Sequence, residues 1–387
     1  MSKSITIYKE LQERLDKMPI GFPRTESGVE IRLLQQLFTP IEAEIATRLS
    51  TMPETSLFIY FRNYRSLKKR GISRVELKRH LDNMDDKGAI IGKKKGNRKY
   101  FRLVELIIGI YEFQVERVTK EFMEDLNQYI DEAYAEELCK TPVNQIRTIP
   151  IEQSVPYKKF VYPYDNINLL VKKLPGPIAL AKCVCRIGHD LLGQSCKQTD
   201  LRESCLLFRE PAKYWINHGY ARQITKEETY EILKKAEDAG LVIQPGNMRK
   251  ISFICTCCGC CCEGLKTLKK FPNPLDYYNT NYHAIVDAKL CEECETCVGR
   301  CQMNAITIKN NISTIDYNYC IGCGLCVPTC PSNALRLQKN KKKYTPPKSS
   351  YALYLKIQKQ RQGRWAKYKT ILKLIFGMKL YYSLKKK

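Results

Sequence analysis

The residues of this chain that can do chemistry are its cysteines, nineteen in number, and eight of them fall into two copies of one spacing. Cys291-x2-Cys294-x2-Cys297-x3-Cys301 is followed by Cys320-x2-Cys323-x2-Cys326-x3-Cys330-Pro331. A tight loop with a cysteine at every third residue converges three thiolates on a small core, which is what a [4Fe–4S] cubane needs. The same loop keeps its fourth cysteine too far from that core, so the fourth thiolate goes to the other cluster. The predicted ligand sets are Cys291, Cys294, Cys297 and Cys330 for a first cluster, and Cys320, Cys323, Cys326 and Cys301 for a second. Zinc knuckles stand at a wider separation and do not produce this double run. Disulfide frameworks belong to small secreted chains, and this chain has 387 residues and opens without an apolar leader-like stretch.

Ten further cysteines lie in the middle of the chain, in two groups. Cys183, Cys185, Cys196 and Cys205 form the first, and Cys255, Cys257, Cys258, Cys260, Cys261 and Cys262 put six thiols into eight residues. So many adjacent thiols cannot all bind one ion. Soft thiolates select iron–sulfur centres or zinc over hard cations, so the expectation is one or two further iron–sulfur clusters, a third at least, bundled from both groups. Zinc on Cys183, Cys185, Cys196 and Cys205 and a redox-active vicinal thiol pair are the alternatives. His189, the one histidine beside these cysteines, reads as a hydrogen-bonded structural residue rather than a ligand. Cys139 stands alone and reads as an inert buried thiol. The chain shows no Gly-x-Gly-x-x-Gly after a strand, no Walker loop and no defensible Ser, His and Asp set, which points to an electron-transfer protein or redox-enzyme subunit rather than an independent enzyme.

The elements that must position the eight C-terminal cysteines are short strands. Ala305–Ile308 and Ser313–Asp316 read as a hairpin turned by Asn310 and Asn311, with His283–Asp287 and Ala334–Leu337 as matching outer strands. The module of about 283–338 resembles the bacterial-type dicluster ferredoxin family, and the resemblance implies an α+β fold carrying two [4Fe–4S] clusters and passing single electrons. One position departs from the family, because Cys301 is followed by Gln302 where proline is usual. The whole chain is similar to a group of anaerobe 4Fe–4S binding proteins that join a winged-helix-like N-terminus, a Cys-x-Cys-Arg segment, a cysteine-packed Cys-Cys-Gly-Cys-Cys-Cys segment and a dicluster ferredoxin.

The predicted fold class is α+β and multidomain. Residues 1–145 read as a helical, winged-helix-like domain, 146–177 as a Pro-bearing linker, 178–270 as a cysteine-rich domain, 283–338 as the ferredoxin domain and 339–387 as a basic amphipathic tail. Thr39-Pro40-Ile41-Glu42 and Ser73–Glu76 are helix starts, each with a capping Glu three residues on. Val75, Leu77, Leu81 and Met84 are the expected inner face of the second helix, Gly88 its stop, and Ala89–Ile91 and Tyr100–Leu103 two strands around a polar loop. Residues 105–140 are expected to continue as helix, and Thr225–Ala239 to form a capped scaffold helix stopped by Gly240. Arg74, Lys78, Arg79, His80 and the loop lysines would meet phosphate if this domain sat on DNA, which makes a redox-sensing DNA-binding regulator the alternative to an electron carrier.

Charge separates the tail from the rest. Sixteen Lys or Arg and no Asp or Glu lie in 339–387, out of a net charge of +25 for the whole chain. With Tyr351, Leu353, Tyr354, Leu355, Ile357, Trp365, Tyr368, Ile371, Leu372, Leu374, Ile375, Phe376, Leu380, Tyr381 and Tyr382 among those cations, the expected partners are an acidic redox protein or an anionic membrane surface, with nucleic acid third. A cytoplasmic location is expected, with peripheral contact at the membrane as the variant that the tail suggests.

Overall fold

The computed structural model describes residues 3–157 and 160–363. The chain divides into two compact units, Met1–Leu138 with Tyr354–Lys387, and Cys139–Leu353. Both mix helix and sheet.

In the first unit the expected caps form. Thr39 Oγ1 accepts the Glu42 N–H at 3.4 Å and Glu42 Oε2 accepts the Thr39 N–H at 2.8 Å, starting helix Pro40–Thr47. Ser73 and Glu76 repeat this reciprocal pair at the head of helix Arg74–Asp86. Leu77, Leu81 and Met84 are fully buried, at helical spacing, whereas Val75 is 79% exposed because it lies about half a turn from that face. The following hairpin is longer than the sequence suggested. Strands β2 (Ile91–Lys95) and β3 (Arg98–Arg102) carry the pairing up to Lys95 opposite Arg98, so that most of the expected loop is exposed strand, and β1 (Glu54–Thr55) pairs with the other edge of β3. Helix does not run from 105 either. Ile107–Gly109 has non-helical backbone, with Ile108 at φ 56°, a short helix Tyr111–Phe113 follows, and the longer helical run begins after the Thr119 cap and goes from Lys120 to Cys139 through a π-type turn at Ile130–Tyr134.

The second unit is built on a five-stranded antiparallel sheet of β4 (Ile178–Lys182), β5 (Glu203–Phe208), β6 (Ala221–Ile224), β7 (Val242–Pro245) and β8 (Phe253–Cys257), in the order β6-β4-β5-β8-β7. Helix Lys226–Asp238, capped by the Thr225 hydroxyl, feeds β7 through Gly240 at φ 76°. Beyond the sheet, β9 (Tyr282–Val286) pairs with β12 (Leu335–Lys339), and β10 (Ile306–Lys309) pairs with β11 (Ile312–Ile315) through Asn310 and Asn311, both at positive φ. One buried core runs through all of this, taking in Leu180, Leu206 and Ile254 from the sheet, Ile306, Leu335 and Leu337 from the strand pairs, and many of the cysteines.

Two expected boundaries change. The stretch 146–177 is packed rather than a linker: Ile149 and Ile151 are fully buried, the Ile149 N–H donates to the Ile243 carbonyl and the Ile151 N–H to the Cys323 carbonyl, so the segment ties β7 to the second cysteine run. Pro150 falls between these two donors, where no N–H is needed. The described part of the basic tail is packed as well. Helix Ser350–Gln362 buries Leu353 and Ile357, and Arg361 pairs with Asp16 at 3.0 Å and with Glu137. Trp365, Tyr368 and the later apolar tail residues lie outside the described residues, within which no helix is long and apolar enough to cross a membrane.

Candidate metal centres

The second cysteine run is held by two close approaches. Gly322 (φ 64°) lies against the Tyr282 carbonyl and Gly324 (φ 78°) against the Ser154 hydroxyl, and any side chain at either position would overlap that neighbour. The loop is thereby pressed between β9 and the 147–154 segment. Cys320, Cys323 and Cys326 then line one cavity together with Cys301 from the first run, amid Ala284, Met303, Ile306, Ile321 and Leu325. These are the four thiols assigned to the second cluster from spacing. Burial raises the pKa of all four, that of Cys323 to about 12, so that bare thiolates are disfavoured in this apolar hollow and a metal is what would keep them ionised. Backbone N–H groups point at the sulfurs: Ala284 donates to Cys320 at 3.4 Å and Ala305 to Cys301 at 3.2 Å.

For the first set, Cys291 and Cys297 meet at Ser313 on β11. The Ser313 N–H donates to Cys291 Sγ at 3.4 Å, and its hydroxyl oxygen is 3.7 Å from Cys291 Sγ and 3.2 Å from Cys297 Sγ. Those backbone donors, Ser313 first and then Glu293, lower the Cys291 pKa. Cys294 is exposed, and Cys330 is half-buried beside the Ser332 hydroxyl at 3.6 Å.

The ten middle cysteines sort by position in space rather than by their order in the chain. Cys196 leaves the first group: a loop after helix Val184–Leu191 carries it to the turn between β8 and helix Glu263–Lys269, where it joins Cys258, Cys260 and Cys261. The zinc set Cys183, Cys185, Cys196 and Cys205 expected as an alternative is therefore not assembled. The other six cluster around β8. Cys255 and Cys257, two apart on one face of the strand, interact with each other, Cys255 also with Cys205 on β5, and Cys257 with Cys262. Cys183 interacts with Cys185, which lowers the Cys183 pKa against the effect of burial. His189 is buried in contact with Glu263 and Lys266, each at 3.2 Å from its Nε2, which is the structural role expected for it.

Two polar residues at these sites carry little signal in the sequence. Arg186 is wholly buried and donates to the carbonyls of Leu201 and Thr256 and to Ser204 Oγ; burial would lower its pKa, but thiolate character on Cys183 and Cys258 outweighs this and raises it. Gln302, at the position where the dicluster ferredoxins that the module resembles usually have proline, accepts the Gly259 N–H at 2.7 Å and donates to Gln198 Oε1 at 3.0 Å. A proline could do neither. The Cys-Arg dipeptide at 185–186 and the departure at 302 were the only available hints.

No curated protein matches the chain. Residues 313–336 match the family model of the 4Fe-4S binding domain, a stretch that contains Cys320, Cys323, Cys326 and Cys330 and most of the Ser313 strand, and with the cysteine-lined cavity this gives the chain an iron–sulfur site.

Proposed function

We propose that this chain is an iron–sulfur electron-transfer protein, a ferredoxin-type carrier or the relay subunit of a redox complex. Its two [4Fe–4S] clusters are held by Cys291, Cys294, Cys297 and Cys330 and by Cys320, Cys323, Cys326 and Cys301. The observation that carries the reading is the convergence of Cys301 from one run with Cys320, Cys323 and Cys326 from the other on a single apolar cavity, the exchange of fourth ligands that the double spacing implies. When bound, the clusters supply one-electron redox chemistry. The chain contributes the rest: apolar walls that keep water from the sulfurs, N–H donors from Ala284, Ala305 and Ser313 that favour the more negative, reduced state, and a net charge of +25 over the whole chain that draws in an acidic redox partner.

A second reading, a redox-sensing regulator on duplex DNA, draws on the exposed Arg74, Lys78 and Arg79 of helix Arg74–Asp86 and on the exposed hairpin β2–β3. Asp82 and Asp85 pair with Lys78 and Lys99 at 2.7 Å and so subtract from the field that phosphate would meet. The carrier is the better supported of the two.

The test is iron and acid-labile sulfide per chain on anaerobically purified protein, with Cys320→Ser/Cys323→Ser beside it. About eight iron and eight sulfide are expected, falling by about half in the variant. Iron and sulfide near zero would overturn the reading.

A further inference from the structure

Four of the middle cysteines are set closer together than an iron–sulfur cubane allows. The sulfurs of Cys196, Cys258, Cys260 and Cys261 all lie within 4.8 Å of one another. Cys196 Sγ is 3.5 Å from Cys258 Sγ and 3.7 Å from Cys260 Sγ, and Cys260 Sγ is 3.7 Å from Cys261 Sγ. Thiolates arranged tetrahedrally around one ion at ~2.3 Å stand roughly 3.8 Å apart. A cubane binds each of its thiolates to a different iron and spreads them around a larger core, so sulfurs in mutual contact leave no room for it.

We propose that Cys196, Cys258, Cys260 and Cys261 form a closed tetrahedral site for a single zinc ion, distinct from the two C-terminal clusters. Zinc is the ion that four thiolates in a tetrahedron select, and a shell of four protein ligands with no open position is that of a structural site. Binding forms four S–Zn bonds and releases the thiol protons to solvent, and no electron moves.

The surrounding chain is built for this. The Cys262 N–H donates to the Cys258 carbonyl at 3.2 Å and closes the turn that presents three of the sulfurs. Gly259 sits in that turn against the backbone of Gln302, where a Cβ would overlap the Gln302 carbonyl. Through its side chain Gln302 holds both Gly259 and Gln198, so one buried amide fixes the turn relative to the loop that carries Cys196. A divalent ion with four thiolates bears a net charge of about −2. Lys269, whose Nζ donates to the Gly259 carbonyl at 2.7 Å, and the buried Arg186 stand against that charge. The ion would pin an irregular loop, which has only a short apolar face of its own, to the end of β8.

The test is zinc content and zinc K-edge X-ray absorption on the full chain, purified anaerobically. One zinc per chain with four sulfur neighbours at ~2.3 Å is expected. Cys258→Ser/Cys260→Ser should lose the zinc and keep wild-type iron and sulfide, while Cys320→Ser/Cys323→Ser should lose iron and keep the zinc. Zinc-free wild-type protein, a shell that contains nitrogen or oxygen, or loss of about four iron from the first variant would overturn the proposal. The wild-type spectrum decides even if the first variant does not fold, and iron and sulfide are read separately, so failure of this site and failure of the electron-transfer reading are distinguishable.

Discussion

Ser313 stands between two thiols of the first ligand set, its hydroxyl oxygen 3.2 Å from Cys297 Sγ and 3.7 Å from Cys291 Sγ, and it is 6% exposed. A hydrogen bond to a cluster sulfur stabilises the reduced, more negative state, so removing a donor makes reduction harder. Ser313→Ala is therefore expected to lower the reduction potential of the cluster it contacts and to leave iron and sulfide content unchanged, as read by a redox titration followed by electron paramagnetic resonance. Because the Ser313 backbone N–H to Cys291 survives the change, the shift should be a fraction of what losing both donors would give. An unchanged potential would remove Ser313 from the cluster environment. Cys320, Cys323, Cys326 and Cys330, inside the stretch that matches the 4Fe-4S model, were legible because a cubane imposes a spacing along the chain, and nothing comparable fixes where a hydrogen-bond donor to sulfur comes from. Ser313 lies sixteen residues beyond Cys297, and Gln302 reaches across to Gly259. Contacts of that kind exist only once the strands are assembled.

Helix starts were legible for a related reason: a capping box is local, and the Thr39 and Ser73 boxes form as their four-residue patterns require. Glu42 does more than cap. Burial alone would raise its pKa, but the hydrogen bonds from Lys87 and Thr39 outweigh burial and hold it below the usual carboxylate value. A carboxylate with a lowered folded pKa contributes stability above its unfolded pKa and loses it as the pH falls through the folded one. Amide-exchange protection of helix Pro40–Thr47, followed peptide by peptide, should accordingly weaken as the pH drops through and below the carboxylate range. Glu42→Gln should remove that dependence and cost about 1 kcal/mol at neutral pH. Element ends were less legible. Lysines in the exposed β2–β3 hairpin look like loop by composition, and the prolines of 146–177 hide the inward Ile149 and Ile151, because pairing and burial there are decided by distant strands.

At the scale of the molecule, the cysteine-bearing sheet and the strand pairs around the second cysteine run share one buried core within Cys139–Leu353, whereas helix Pro40–Thr47 belongs to the other compact unit. A shared core makes opening cooperative, and a bound group that prefers the folded state stabilises everything folded with it. The Ile151 N–H bond to the Cys323 carbonyl and the Ile149 bond to Ile243 lead directly from the second cysteine run to β7. Stripping iron with a chelator under anaerobic conditions is thus expected to raise amide exchange first in 282–339 and then in β7 and β8. Protection in helix Pro40–Thr47 should stay unchanged. Exchange that rises only around Cys320–Cys326 would mean that the sheet and the strand pairs open independently despite their common core. A parallel rise in helix Pro40–Thr47 would mean that cluster binding stabilises the chain as one cooperative body, against its division into two units.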